Sequence, residues 1–267
     1  MSGRKDAEHA YSQGISLLKT GEAEQAVACL DQAIEHDPTF TKALQQRSFL
    51  LCLMGKPGRA LEDCNRALAV DSDDAWSYLH RAMVHSKLQH FRAAVDDCTA
   101  AIRLEPMLLV AYTERGSALC ELKLFDDAIA DFSQAIELNP RDPVNFVCRA
   151  VAYDEIGKYR ETIVDFSHAI DLNPEDPIGY FSRALAFHKI DDYPDALADY
   201  DRVLQLDPDF ADARQNRQIA YDQIQGQLSL GCAGPAAIIA AEADEGEEPK
   251  RAKVYDIFTK AEIMSSE

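Results

Sequence analysis

Between residues 109 and 142, apolar side chains recur at the spacing of two short helices joined by a turn. Val110, Tyr112, Ala118, Leu119 and Leu122 supply one apolar stripe. Ala128, Ile129, Phe132, Ala135 and Ile136 supply a second, with a turn expected near Lys123–Asp127 between them. Asn139-Pro140 stops the second helix, because proline disfavours helical geometry in the residue before it and donates no hydrogen bond of its own. The same alternation of two apolar stripes and a stop runs along most of the chain.

The period is 34 residues. Arg47, Arg81, Arg115, Arg149, Arg183 and Arg217 mark it first. Ala26, Ala60, Ala94, Ala128 and Ala196 keep the same frame, with Thr162 in the gap, and so do Ala33, Ala67, Ala101, Ala135 and Ala169, closed by Val203. Pro38, Pro106, Pro140, Pro174 and Pro208 form a fourth column, interrupted by Ser72. A fixed repeat of this length marks a stack of identical units, each completing its apolar face against the next. Aspartates run in parallel: Asp63, Asp97, Asp131, Asp165 and Asp199 each follow an arginine by 16 residues. Two opposite-charge columns at one period predict a row of ion pairs between packed helices, in which guanidinium can bond carboxylate at two points.

These columns resemble the tetratricopeptide repeat, a helix–turn–helix unit. Six units fit without a gap: 7–40, 41–74, 75–108, 109–142, 143–176 and 177–210. The resemblance implies an all-α, right-handed superhelical solenoid of six hairpins. The expected boundaries are a frayed 1–6, a polar capping helix over 211–230 and an acidic, unstructured tail over 231–267. An aromatic expected at the fourth position of each unit is present as Tyr78, Tyr112, Phe146 and Tyr180, but Ala10 and Leu44 stand in the first two. The second unit departs most, with Cys64 and Ser72 besides.

In that family the first helices of successive repeats line a concave groove. Position by position, this chain would place there Phe49, Trp76, Leu79, Met83, Val110, Thr113, Ser117, Val144, Val147, Val151, Ile178, Phe181 and Leu185, with acids at Glu121, Asp154 and Glu155. Exposed contiguous apolar surface on this scale points to a docking site for a peptide or helix, with a Lys or Arg meeting the acids. The basic clamp with which one branch of the family holds acidic chaperone tails is not expected. Its positions here read, for example, Gln45/Phe49, Leu79/Met83 and Val147/Val151.

Composition narrows the partners. Lys plus Arg number 27 against 46 acids, a net charge of −19, which repels phosphate backbones and anionic membranes. No apolar run approaches the roughly 18 residues of a membrane span, and the first ten residues offer no secretory leader. Seven cysteines without C-x-x-C spacing fit reduced thiols in the cytoplasm. Lys250, Arg251 and Lys253 leave nuclear entry open. Val254, Ile257, Phe258 and Ala261 form a short amphipathic pattern that could dock in the groove, in cis or on a second copy. His80, His85 and His90, five apart, would diverge around one helix and hold no common metal. No phosphate loop or nucleophile motif appears. The expectation is a non-enzymatic scaffold or adaptor without cofactor. Self-association into dimers or larger assemblies through the groove, end helices or tail, and a regulatory arm restraining an enzyme, are the alternatives.

Overall fold

The computed structural model describes residues 2–232, and the side chains of 3–226 within them. Thirteen helices cover these residues. They are α1 (Ser2–Lys19), α2 (Ala23–His36), α3 (Thr41–Leu53), α4 (Pro57–Val70), α5 (Ala75–Lys87), α6 (Phe91–Leu104), α7 (Leu109–Glu121), α8 (Phe125–Leu138), α9 (Pro143–Glu155), α10 (Tyr159–Leu172), α11 (Pro177–Lys189), α12 (Tyr193–Leu206) and α13 (Ala211–Cys232). From α3 on, the odd helices begin at Thr41, Ala75, Leu109, Pro143, Pro177 and Ala211, one every 34 residues. The described residues form two compact units that divide after Asp165.

In the first unit α1 packs on α2, α3 on α4, α5 on α6 and α7 on α8, and each even helix also touches the odd helix that follows. Successive odd helices touch directly: α3 meets α5, α5 meets α7 and α7 meets α9. In the second unit α11 packs on α12 and α12 on α13.

Every hairpin turn closes the same way. Backbone N–H groups of Glu22, Lys56, His90, Leu124, Lys158 and Asp192 reach back five residues to the carbonyls of Leu17, Leu51, His85, Leu119, Tyr153 and Phe187, at 2.8–2.9 Å. This closure requires a left-handed residue just before the donor. Gly21, Gly55 and Gly157 supply it at φ 72–81°, while Gln89, Lys123 and Asp191 adopt φ 59–60° at a steric cost that glycine escapes. The turn in the fourth unit is therefore tighter than the sequence suggests: α8 already begins at Phe125.

The arginine and aspartate columns pair as expected. Arg115 donates Nε and Nη2 to both oxygens of Asp131 at 2.8 and 2.7 Å. Arg47, Arg81, Arg149 and Arg183 hold Asp63, Asp97, Asp165 and Asp199 in the same fork. The aspartate side chains are only 3–8% exposed. Each arginine has a third partner on the preceding even helix: Asp31, Asn65, Thr99, Ser133 or Ser167. The fourth-position rings lie under the guanidiniums, with Arg81 5.5 Å from the centre of Tyr78 and Arg115 5.8 Å from Tyr112. One side chain thus ties three helices.

Two ends differ from expectation. The expected fray over 1–6 is replaced by helix from Ser2 onward. Arg4 holds it by pairing with Asp37 and lying 4.5 Å above the Phe40 ring. At the other end α13 runs to Cys232, past the predicted end of the cap. The remaining tail, with its acidic run and the 254–264 pattern, lies outside the described residues.

Candidate docking face

The candidate face is built from α3, α5, α7 and α9 in the first unit. On α3 and α5, Phe49, Trp76 and His80 form an aromatic patch: the His80 ring lies 6.4 Å from Phe49 and 6.3 Å from Trp76. Trp76 is 42% exposed. His80 Nδ1 lies 2.7 Å from the Trp76 carbonyl, one turn back. Since a carbonyl only accepts, Nδ1 carries the proton and Nε2 is the acceptor. Burial holds the His80 pKa below its ordinary value, so the ring is neutral.

Met83 and Val110 are half-buried against a core of Ala75, Leu79, Ala101, Leu108 and Ala111. Thr113 and Ser117 are half-buried and tied inward: Thr113 Oγ1 donates to Asn145 Oδ1 at 2.8 Å, and Ser117 Oγ to the Thr113 carbonyl at 2.9 Å. On α9, Val144, Val147, Val151 and Asp154 are half-buried, while Glu155 and, on α7, Glu121 are exposed. The Cys120 thiol registers this local field. Burial first, then the charges of Glu121 and Glu155, push its pKa up to about 12. In the second unit Ile178 and Leu185 are half-buried on α11.

Two expected lining residues prove to be core. Leu79 is 1% exposed, and Phe181 is 9% exposed with its ring 4.9 Å from Phe210 and 6.0 Å from Tyr200. Both are the fifth residue of their helix, and each shares a core with the third residue of the next odd helix, Ala111 for Leu79 and Ala213 for Phe181. That third position is buried at Ala43, Ser77, Ala111, Asn145, Gly179 and Ala213. The sequence carries the signal as a column of small residues, hidden by the polarity of Ser77 and Asn145.

On α5 and α7 the sixth position carries polar residues that the apolar pattern does not mark. His80 sits there on α5 and Glu114 on α7; the charge of Glu114 is felt by the thiols of Cys52, Cys98 and Cys148. His85 and His90, expected to diverge, stand with ring centres 5.8 Å apart. They do not share a helix: the left-handed Gln89 reverses the chain, and His90 opens α6. Among the described residues no group of three His, Cys, Asp or Glu is placed to hold a metal, and no helix is long and apolar enough to cross a membrane.

Comparison with known proteins follows the same units. The tetratricopeptide repeat family model matches residues 110–142 and 177–210. The chain is 31% identical over 92 residues to the DnaJ homolog subfamily C member 7 homolog of Schizosaccharomyces pombe; the match covers 33% of this chain and 19% of that protein. The chain therefore spans about a fifth of that relative's length. Among solved structures, Pseudomonas aeruginosa PilF superposes with a TM-score of 0.68 at 17% identity, over 85% of this chain and all of that one. YrrB, described as a tetratricopeptide repeat protein with an unusual peptide-binding site, gives 0.61 at 20% identity over 71% of this chain and 97% of its own. At such identities the likeness speaks for the fold alone. Two units of the chain are thus matched as tetratricopeptide repeats, and its fold is that of the tetratricopeptide repeat solenoids.

Proposed function

We propose that the face formed by α3, α5, α7 and α9 docks a segment of a partner protein, as an extended peptide or an amphipathic helix. The observation that carries this reading is Trp76, exposed on α5 beside His80, on a face whose helices also carry the half-buried Phe49, Met83, Val110, Val147 and Val151. A large exposed aromatic on an apolar surface is a typical anchor for a partner side chain. The peptide-binding site attributed to YrrB supports the same use of the fold. Leu79 serves the face from beneath, in the core under Met83 and Val110. The role is that of an adaptor rather than a catalyst, and the six cysteines whose side chains are described, all free, fit the reducing conditions of the cytoplasm.

The test is affinity capture with mass spectrometry, comparing the full chain with a Val147→Glu/Val151→Glu variant of unchanged helical circular dichroism. Partners lost only from the variant support docking on this face. Partners kept by both move the site elsewhere and overturn the reading.

A further inference from the structure

The docking face changes its charge along its length. α3 and α5 contain no acidic residue; their charges are Lys42, Lys87 and the two ladder arginines Arg47 and Arg81. α7 and α9 reverse this. Their only cations are Arg115 and Arg149, each committed in a two-point fork to Asp131 or Asp165, while Glu114, Glu121, Asp154 and Glu155 supply four carboxylates. The aromatic patch of Phe49, Trp76 and His80 belongs wholly to the acid-free half. The aromatic anchor and the acids therefore occupy different helices of one face, with smaller apolar side chains such as Val110, Val147 and Val151 continuing onto the acidic half.

We infer that the occupant is a bipartite segment, with bulky apolar side chains over α3 and α5 and a cluster of Lys or Arg over α7 and α9. This deepens the docking reading above and rests on it. Three observations converge. Trp76 and Phe49 offer ring surface to an apolar anchor. His80 Nε2, left as an acceptor by the Trp76 carbonyl, favours a donor-bearing ligand. Carboxylates over α7 and α9 offer further acceptors, and their field already weighs on the Cys120 thiol. An acidic segment would meet like charge on α7 and α9, which costs affinity and steers wrong partners away. The asymmetry also fixes direction, because a segment with its charge at the opposite end would place lysines over Lys42 and Lys87.

Trp76 is the only tryptophan in the chain, so its emission reports the apolar half directly. The experiment titrates the full-length protein with synthetic amphipathic peptides of about 14 residues, long enough to form some helix on binding. All carry one leucine face. They differ in a block of lysines at the N-terminal end, the same block at the C-terminal end, or glutamates in those places. One lysine-block peptide is expected to shift the Trp76 emission and bind about tenfold or more tightly than its glutamate counterpart and its reversed form. That preference should shrink as salt rises from about 50 to about 500 mM. It should vanish in Glu114→Gln/Glu121→Gln/Glu155→Gln with helical dichroism unchanged. The exposed pair alone, Glu121→Gln/Glu155→Gln, should lower it and guards against misfolding of the triple variant.

Lysine and glutamate peptides binding equally well, with a normal Trp76 response, overturn the bipartite inference and leave the docking face standing. A preference that survives in the triple variant has the same meaning. Binding of all peptides without a Trp76 response, or of none, overturns both.

Discussion

Two seams in the first unit solve the same packing problem with opposite chemistry. Between α5 and α7 the seam is dry: Leu79 lies against Ala75, Ala101, Leu108 and Ala111. Between α3 and α5 the equivalent positions are Gln45 and Ser77, and both are buried. Gln45 Nε2 donates to Ser77 Oγ at 2.9 Å and to Asp74, which also caps the first turn of α5 by accepting from Ser77 N at 3.1 Å. The seam between α7 and α9 is polar again, through Thr113, Asn145 and the capping Asp142. The backbone frame is common to all three. The dry seam gains from area removed from water and accepts any neighbour of suitable shape. The polar seams gain little net energy but penalise every arrangement that leaves a buried group unpaired. A stack of near-identical units gains from such marks, because they specify which unit follows which.

That contrast can be broken at the dry seam first. Leu79→Ala should cost about 3 kcal/mol, through lost burial and the cavity left behind, read as a fall in the midpoint of urea or thermal unfolding. Asn145→Ala should cost about 2 kcal/mol, since Thr113 loses its acceptor inside the stack. The sharper test is the double variant Thr113→Val/Asn145→Ala, which turns the polar seam dry. It should recover at least half of that loss, whereas additive losses would show that the polar pair carries more than register.

The second unit supplies the reverse case. Tyr200 is fully buried beside Phe181, and its hydroxyl is without a hydrogen-bond partner. Tyr200→Phe should raise stability by about 1 kcal/mol, visible as a higher melting temperature. Unpaired nitrogens make the smallest prediction. His85 Nδ1 and His188 Nδ1 are buried without partners, and burial holds both pKa values below the ordinary value. The unfolded chain then binds protons that the folded chain refuses. Stability should be intact above about pH 6.5 and fall as pH drops below it, and His188→Phe should flatten part of that fall in melts at a series of pH values.

Much of this was legible along the chain. The arginine and aspartate columns announced the ladder because a bidentate pair demands both residue types at a fixed offset, here 16. The eighth residue of every unit is small (Gly14, Ser48, Ala82, Gly116, Ala150 and Ala184), which announces a close approach: a Cβ on Gly116 would stand 2.8 Å from the Phe132 ring. The docking face was harder to read, because pattern shows which residues lie on the odd helices but not which of those the next helix covers. Leu79 and Trp76 are both apolar and three residues apart, yet one is core and the other a surface anchor.

Local rules therefore settled the elements. Helical periodicity, proline stops, glycine at half the turns and charge columns at one period follow from short-range sterics and hydrogen bonding, and the sequence states them directly. Tertiary packing decided the rest. It buried the third position of each odd helix from α3 on and drew in the fifth at Gln45, Leu79 and Phe181 while Thr113 and Val147 stay half-buried. It brought His85 to His90 through a left-handed Gln89, and gathered four carboxylates on two neighbouring helices away from the aromatic patch. Each of these depends on how one unit meets the next, a distance that no single repeat encodes.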